Sequence, residues 1–134
     1  MSEKGELLRV QDLKVWFGSP NRPLRAVDGV SFDIPSGCTV ALVGESGCGK
    51  SVTALALARL VPQPPGVYAG GRILFDGRDV LAMSERQLSD FRGREIAYVF
   101  QEPGAALNPV FRVGYQVMEA IRLHRRDVNP RAEA

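Results

Sequence analysis

Eight consecutive residues, Gly44-Glu45-Ser46-Gly47-Cys48-Gly49-Lys50-Ser51, constrain this chain more than any other stretch. They satisfy the pattern G-x-x-x-x-G-K-[ST] at every fixed position. Its glycines let the backbone fold so tightly that successive N–H groups converge on a phosphate. Lys50 then reaches the β- and γ-phosphates, and the Ser51 hydroxyl ligates Mg²⁺. The helix that follows turns its positive end toward the same anion. Upstream, the apolar run Thr39–Val43 predicts a buried parallel strand. Downstream, the Ala/Leu-rich stretch Val52–Leu60, stopped by Pro62, predicts a helix. Strand, glycine loop and helix in that order distinguish a nucleotide site from a chance glycine-rich turn.

Composition narrows the class. The 134 residues are 45% hydrophobic and 24% charged, which is ordinary for one globular domain with enough chain for a core. A net charge of +2 is too small to argue for a nucleic-acid partner. The two cysteines, Cys38 and Cys48, form no metal-type cluster, and free thiols are expected. The polar N-terminal residues lack an apolar signal core. The apolar stretch at Val52–Val61 falls short of the roughly 18 residues that span a bilayer.

In chain order, Leu8, Val10, Leu13, Val15 and Phe17 alternate imperfectly, so Leu7–Phe17 reads as a strand with a bulge near Asp12. After the turn-rich residues 18–23, Ala26–Ile34 reads as a strand returning antiparallel. Residues 62–66 forbid helix. Arg72–Phe75 is a short strand, and Asp76-Gly77 signals a hairpin before Val80-Leu81. Ser84-Glu85-Arg86-Gln87 has capping-box spacing and opens a helix ending near Gly93. Ile96–Phe100 is the next candidate for a buried strand, and it delivers Gln101 at its carboxyl end. Glu102–Phe111 reads as a loop. A last amphipathic helix starts at Arg112 or Val113, with Val113, Val117 and Ile121 on one face. The layout is mixed α/β, with antiparallel strands preceding the phosphate loop.

Three further positions bear on function. Gln101, after a strand, has the place from which an amide oxygen reaches Mg²⁺ or its water, although loop residues are often just that. Trp16 or Phe17 offers a ring for stacking on a base, or one of them is core; Phe17 is favoured for stacking because it abuts the loop. His124 sits in the basic stretch Arg122–Arg126 and reads as a solvated helix-face residue.

The pieces Leu13–Phe17, Ala26–Phe32, Gly44–Ser51, Val99–Pro103 and Ala106–Gly114, taken together, resemble the N-terminal half of an ATP-binding-cassette (ABC) transporter ATPase subunit. They look most like the subunits of bacterial dipeptide and oligopeptide importers, with their nickel and glutathione relatives. The resemblance implies an ABC ATPase core of the P-loop class with an antiparallel β subdomain, and a helical subdomain opening at about residue 112. It implies ATP with Mg²⁺ as cofactor, held by Phe17 at the adenine and by Gly44, Glu45, Ser46, Gly47, Cys48, Gly49, Lys50, Ser51 and Val52 at the phosphates. Ser51 and Gln101 meet the metal, and Lys50 and Gln101 carry the catalytic roles. Cys48 departs from the usual serine or alanine, and Mg-ATP is expected to shield its thiol.

The implied partners are membrane-spanning permease subunits, met through Glu102–Phe111, and a second ABC ATPase subunit, at the cytoplasmic face of the inner membrane and without nucleic acid. The family's Leu-Ser-Gly-Gly-Gln signature, catalytic glutamate and switch histidine find no match before Ala134. The expectation is therefore a partial domain that binds ATP, turns it over poorly and leaves an apolar face uncovered. A soluble P-loop kinase and a cassette ATPase acting on nucleic acid are the alternatives.

Overall fold

The computed structural model describes residues 5–100, 102–125 and 129. The chain divides into two compact units, Met1–Leu88 and Ser89–Ala134. The first is built on an antiparallel sheet of β1 (Glu6–Ser19), β2 (Arg22–Pro35), β3 (Gly66–Phe75) and β4 (Arg78–Asp79), in the order β2-β1-β3-β4. The strands expected at Leu7–Phe17, Ala26–Ile34 and Arg72–Phe75 are present, and β2 and β3 run longer than their apolar cores.

The imperfect alternation of β1 has a geometric cause. Leu8 and Val10 point into the core, and so do Leu13 and Val15, although the two pairs differ in parity. The register slips between Val10 and Leu13, where Asp12 has φ +47°, so one extra residue returns the apolar side chains to the same face. The bulge is held from both flanks. The Asp12 N–H donates to Ser31 Oγ on β2 at 2.8 Å. On β3, Gly71 has φ +92°, and a Cβ there would lie 2.5 Å from the Asp12 carbonyl oxygen and 2.6 Å from that of Gln11. The Asp12 carboxylate accepts from Lys14 Nζ at 2.8 Å, which raises the Lys14 pKa.

At the β3–β4 turn, Asp76 and Gly77 both take positive φ, +46° and +74°, as a two-residue hairpin requires. A 3-10 turn follows at Val80–Ala82, with the Leu81 N–H capped by Asp79 Oδ1 at 3.0 Å. Helix α2 (Glu85–Arg94) opens with the reciprocal bonds of a capping box. Gln87 N–H donates to Ser84 Oγ at 3.3 Å, while Ser84 N–H donates to Gln87 Oε1 at 2.8 Å.

Helix α1 (Lys50–Ala56) lies on β1 and β2, with Thr53 and Ala56 buried. It is shorter than the expected Val52–Leu60. Leu57 and Arg59 donate back three residues rather than four, and Arg59 enters the left-handed region at φ +52°. That conformation lets the Arg59 guanidinium donate to the Met83 carbonyl at 2.6 Å and pair with Glu85 at 3.5 Å. Leu13, Val15, Ile73, Val80 and Leu88 are fully buried in this unit, each stabilising it by about 1.5–3 kcal/mol.

Two expected strands do not form. Thr39–Val43 runs as irregular backbone with Val43 88% exposed. Ile96–Phe100 makes one isolated bridge, Ile96 to Arg92, and leaves Val99 99% exposed. A hairpin strand finds its partner a few residues away. A central parallel strand draws its whole ladder from strands distant in sequence, and among the described residues no strand pairs with either run beyond the Ile96–Arg92 bridge. Val40, Leu42, Val43, Val99 and Phe100 are exposed, while Ile96 is partly covered.

In the second unit α2 ends where its glycine predicts, with Arg92 at ψ +123° and Gly93 at φ +87°. The segment expected as a loop carries a short helix, α3 (Pro103–Ala106), with proline in its first turn. Helix α4 (Val113–His124) begins as expected, but none of its residues is buried. The His124 ring packs against Gly93, where a Cβ would lie 2.5 Å from its imidazole atoms. Among the described residues no helix is long and apolar enough to cross a membrane.

Candidate nucleotide site

The glycine loop is positioned by the start of β2. Gly49 is the N-cap of α1 at φ +91°, and a Cβ on it would fall 2.3 Å from the Ala26 carbonyl oxygen and 3.7 Å from Val27 Cγ2. Only glycine permits that approach, which sets the first turn of α1 directly on β2. Val27 and Thr53 are buried on either side of the contact.

Within the loop, Gly47 also takes positive φ, +82°, and it opens to free space. Gly44 is crowded instead, since a Cβ there would meet Cys48 Sγ at 2.7 Å. Lys50 closes the ring. Its ammonium donates to the Gly44 carbonyl at 2.8 Å and the Glu45 carbonyl at 2.5 Å, and lies 3.5 Å from Cys48 Sγ. The Cys48 N–H donates to the Glu45 carbonyl at 3.4 Å. The motif is thus curled about its own lysine.

The donor set suits a phosphate. The Thr53 N–H is the first to close a helical bond, to Gly49 O at 2.8 Å. The amides of Lys50, Ser51 and Val52 precede it, and Gly49 brings no side-chain cap. Beside those first-turn donors the Ser51 side chain is exposed, and the Lys50 ammonium lies at the Gly44 and Glu45 carbonyls. A single hydroxyl is a meagre metal site. Among the described residues no group of three His, Cys, Asp or Glu side chains could hold a metal, so Mg²⁺ would take Ser51 as one ligand and draw others from the nucleotide and water.

The other expected site residues fare differently. Gln101 lies outside the described residues. Phe17 is half-buried, opposite Leu24 on β2 and Gly66 on β3, with its ring edge 3.1 Å from where a Gly66 Cβ would sit. Trp16 is half-buried on the interior strand β1, between Arg25 of β2 and Val67 of β3, with the Arg25 guanidinium 5.0 Å from its ring centroid. Sequence reasoning missed both Arg25 and Ala26. The backbone carbonyl of Ala26 leaves no signal in the sequence, whereas the Trp16–Arg25 pair follows from strand register once the hairpin is drawn.

Residues 27–130 match the model of the ABC transporter family. The chain belongs to that family. Its sequence is 47% identical over 120 residues to a probable peptide ABC transporter ATP-binding protein of Sinorhizobium fredii, covering 90% of this chain and 36% of that protein. It is 43% identical to the oligopeptide transport ATP-binding protein of Bacillus subtilis, covering 90% and 34%. It is 44% identical to the dipeptide transport ATP-binding protein of Escherichia coli, covering 89% and 36%. The chain therefore spans about a third of the length of these curated relatives. Among solved structures, it superimposes on an ATP-binding cassette dimer bound to ADP and Pi with a TM-score of 0.76 at 20% identity, covering 92% of this chain and 50% of that one. That likeness establishes the fold as an ABC ATPase core, in which β1–β4 are the antiparallel β subdomain.

Proposed function

We propose that this ABC chain binds Mg-ATP through Gly44–Ser51 and serves in the ATP-binding motor subunit of an importer for peptides or related small solutes. The observation that carries the reading is the glycine loop seated on Ala26, with Lys50 and the unpaired first-turn amides at its mouth. Bound Mg-ATP would supply the phosphoanhydride whose cleavage drives transport. The amides of Glu45 to Val52 hold the phosphates, and Lys50 exchanges its two carbonyl partners for phosphate oxygens. Ser51 and Gln101 orient the metal side, and Phe17 stacks on the adenine. The names of the peptide-transport relatives favour an importer over a soluble kinase or a nucleic-acid ATPase. The same reading gives the chain membrane-spanning partners, met through Glu102–Phe111, a second ATPase subunit, and a place at the cytoplasmic face of the inner membrane.

Titration with a fluorescent ATP analogue tests the site. ATP and ADP should displace it, and Lys50→Ala should weaken binding by about 10- to 100-fold, the worth of a charge-assisted bond. Equal affinity of the parent chain and Lys50→Ala would remove the reading. Uptake of a labelled dipeptide, lost on deletion of the gene and restored by it, tests the transport assignment separately.

A further inference from the structure

The stretch before α4 is irregular and exposes large apolar side chains, with Val110 83% and Phe111 54% accessible. A solvated segment of this kind ordinarily samples many shapes. Here one side chain holds it. Gln116, on the second turn of α4, accepts the Asn108 N–H at 2.8 Å through Oε1. Through Nε2 it donates to the Asn108 and Phe111 carbonyls, both at 3.0 Å. The opposite amide orientation would place an oxygen against two carbonyls, so the network admits one assignment. Inside the clasp, the Asn108 side chain accepts the Val110 N–H at 3.0 Å, and Phe111 N–H returns to the Asn108 carbonyl at 3.3 Å. The Phe111 and Tyr115 rings lie 5.9 Å apart outside it.

We infer that Gln116 is a positioning residue, which locks residues 108–111 onto the first turns of α4 and so presents Val110 and Phe111 in one preformed arrangement. Glutamine suits the role because a carboxamide combines one acceptor with two donors. Glutamate retains the acceptor and sets a charge against two carbonyls, and alanine provides neither. The inference rests on the proposed reading that this segment meets a membrane-spanning partner, and it concerns the shape of the contact surface rather than nucleotide binding.

Amide hydrogen exchange on the whole chain tests the lock. Gln116→Ala should speed exchange at Asn108 and Phe111 by about tenfold or more, with helix content and ATP-analogue affinity unchanged. Gln116→Glu should behave like Gln116→Ala at neutral pH. Unchanged exchange in Gln116→Ala, or parent-like protection in Gln116→Glu, would overturn the inference. Sedimentation with inverted cytoplasmic-membrane vesicles from the host cell, against liposomes of the same extracted lipids, tests the consequence. The parent chain should bind the vesicles and not the liposomes, and Gln116→Ala should bind them about tenfold more weakly. Vesicle binding equal to the parent's would overturn the positioning role. A parent chain that binds neither would overturn the partner reading, while the exchange experiment still decides whether Gln116 is the lock.

Discussion

Substituting alanine for two glycines of the same loop separates backbone strain from steric contact. Gly47 and Gly49 both have positive φ, +82° and +91°, so each alanine variant meets the left-handed penalty of about 1–2 kcal/mol. The added methyl at Gly47 meets nothing within 4 Å, and strain is the whole cost. At Gly49 the methyl falls 2.3 Å from the Ala26 carbonyl oxygen. That is roughly 1 Å inside the separation at which carbon and oxygen normally touch. The contact is with backbone, so α1 or β2 must move, which adds about 1–3 kcal/mol. Gly49→Ala should therefore destabilise by about 2 kcal/mol more than Gly47→Ala, near 30-fold in the folding equilibrium.

Urea unfolding of the two variants side by side measures that difference. The displacement also tilts the Lys50, Ser51 and Val52 amides, so Gly49→Ala should lose ATP-analogue binding even under conditions where it remains folded. If the two variants were equally stable, or if Gly49→Ala kept parent affinity, the claim that β2 positions the loop through Ala26 would be refuted.

Three other outcomes follow from the same geometry. Gly71→Ala, whose methyl would lie 2.5–2.6 Å from three backbone atoms of the β1 bulge, should destabilise by about 2–5 kcal/mol, with a clear fall in the urea midpoint; a change under 1 kcal/mol would mean the bulge is not pinned there. Ser84→Ala removes one arm of the capping box and should cost about 1 kcal/mol, whereas an exposed control, Ser89→Ala, should be neutral; equal effects would deny the cap. Cys48 is exposed in the loop, 3.5 Å from Lys50 Nζ, so Mg-ATP should slow its alkylation while leaving exposed Cys38 unaffected. Identical Cys48 labelling with and without nucleotide would count against its place in the site.

Features set by neighbours along the chain were readable from residue types. The glycine loop, the Asp76-Gly77 hairpin, the Ser84–Gln87 cap and the start of α4 each depend on short-range backbone and side-chain chemistry, and each stands where the residues place it. The β1 bulge was readable as well, because burial on one face forces the apolar pattern to skip a step at Asp12. The relation of Gln116 to Asn108 was not, since a glutamine eight residues from its target has many other possible partners. Apolar content alone misled at Thr39–Val43 and Ile96–Phe100. It reports a wish for burial and says nothing about which strand would complete the ladder.

What the sequence alone determined, then, is that a loop matching the phosphate-binding pattern stands at Gly44–Ser51 and which family of folds surrounds it, because glycine freedom and a lysine at fixed spacing are local properties. Only the tertiary structure decided how that loop is held. The approach of Gly49 to Ala26, the capture of Lys50 by the Gly44 and Glu45 carbonyls, and the division of Trp16 and Phe17 between Arg25 and Gly66 all depend on close approach in space. Residue type limits which of these approaches are possible; strand register and the first turn of α1 select among them.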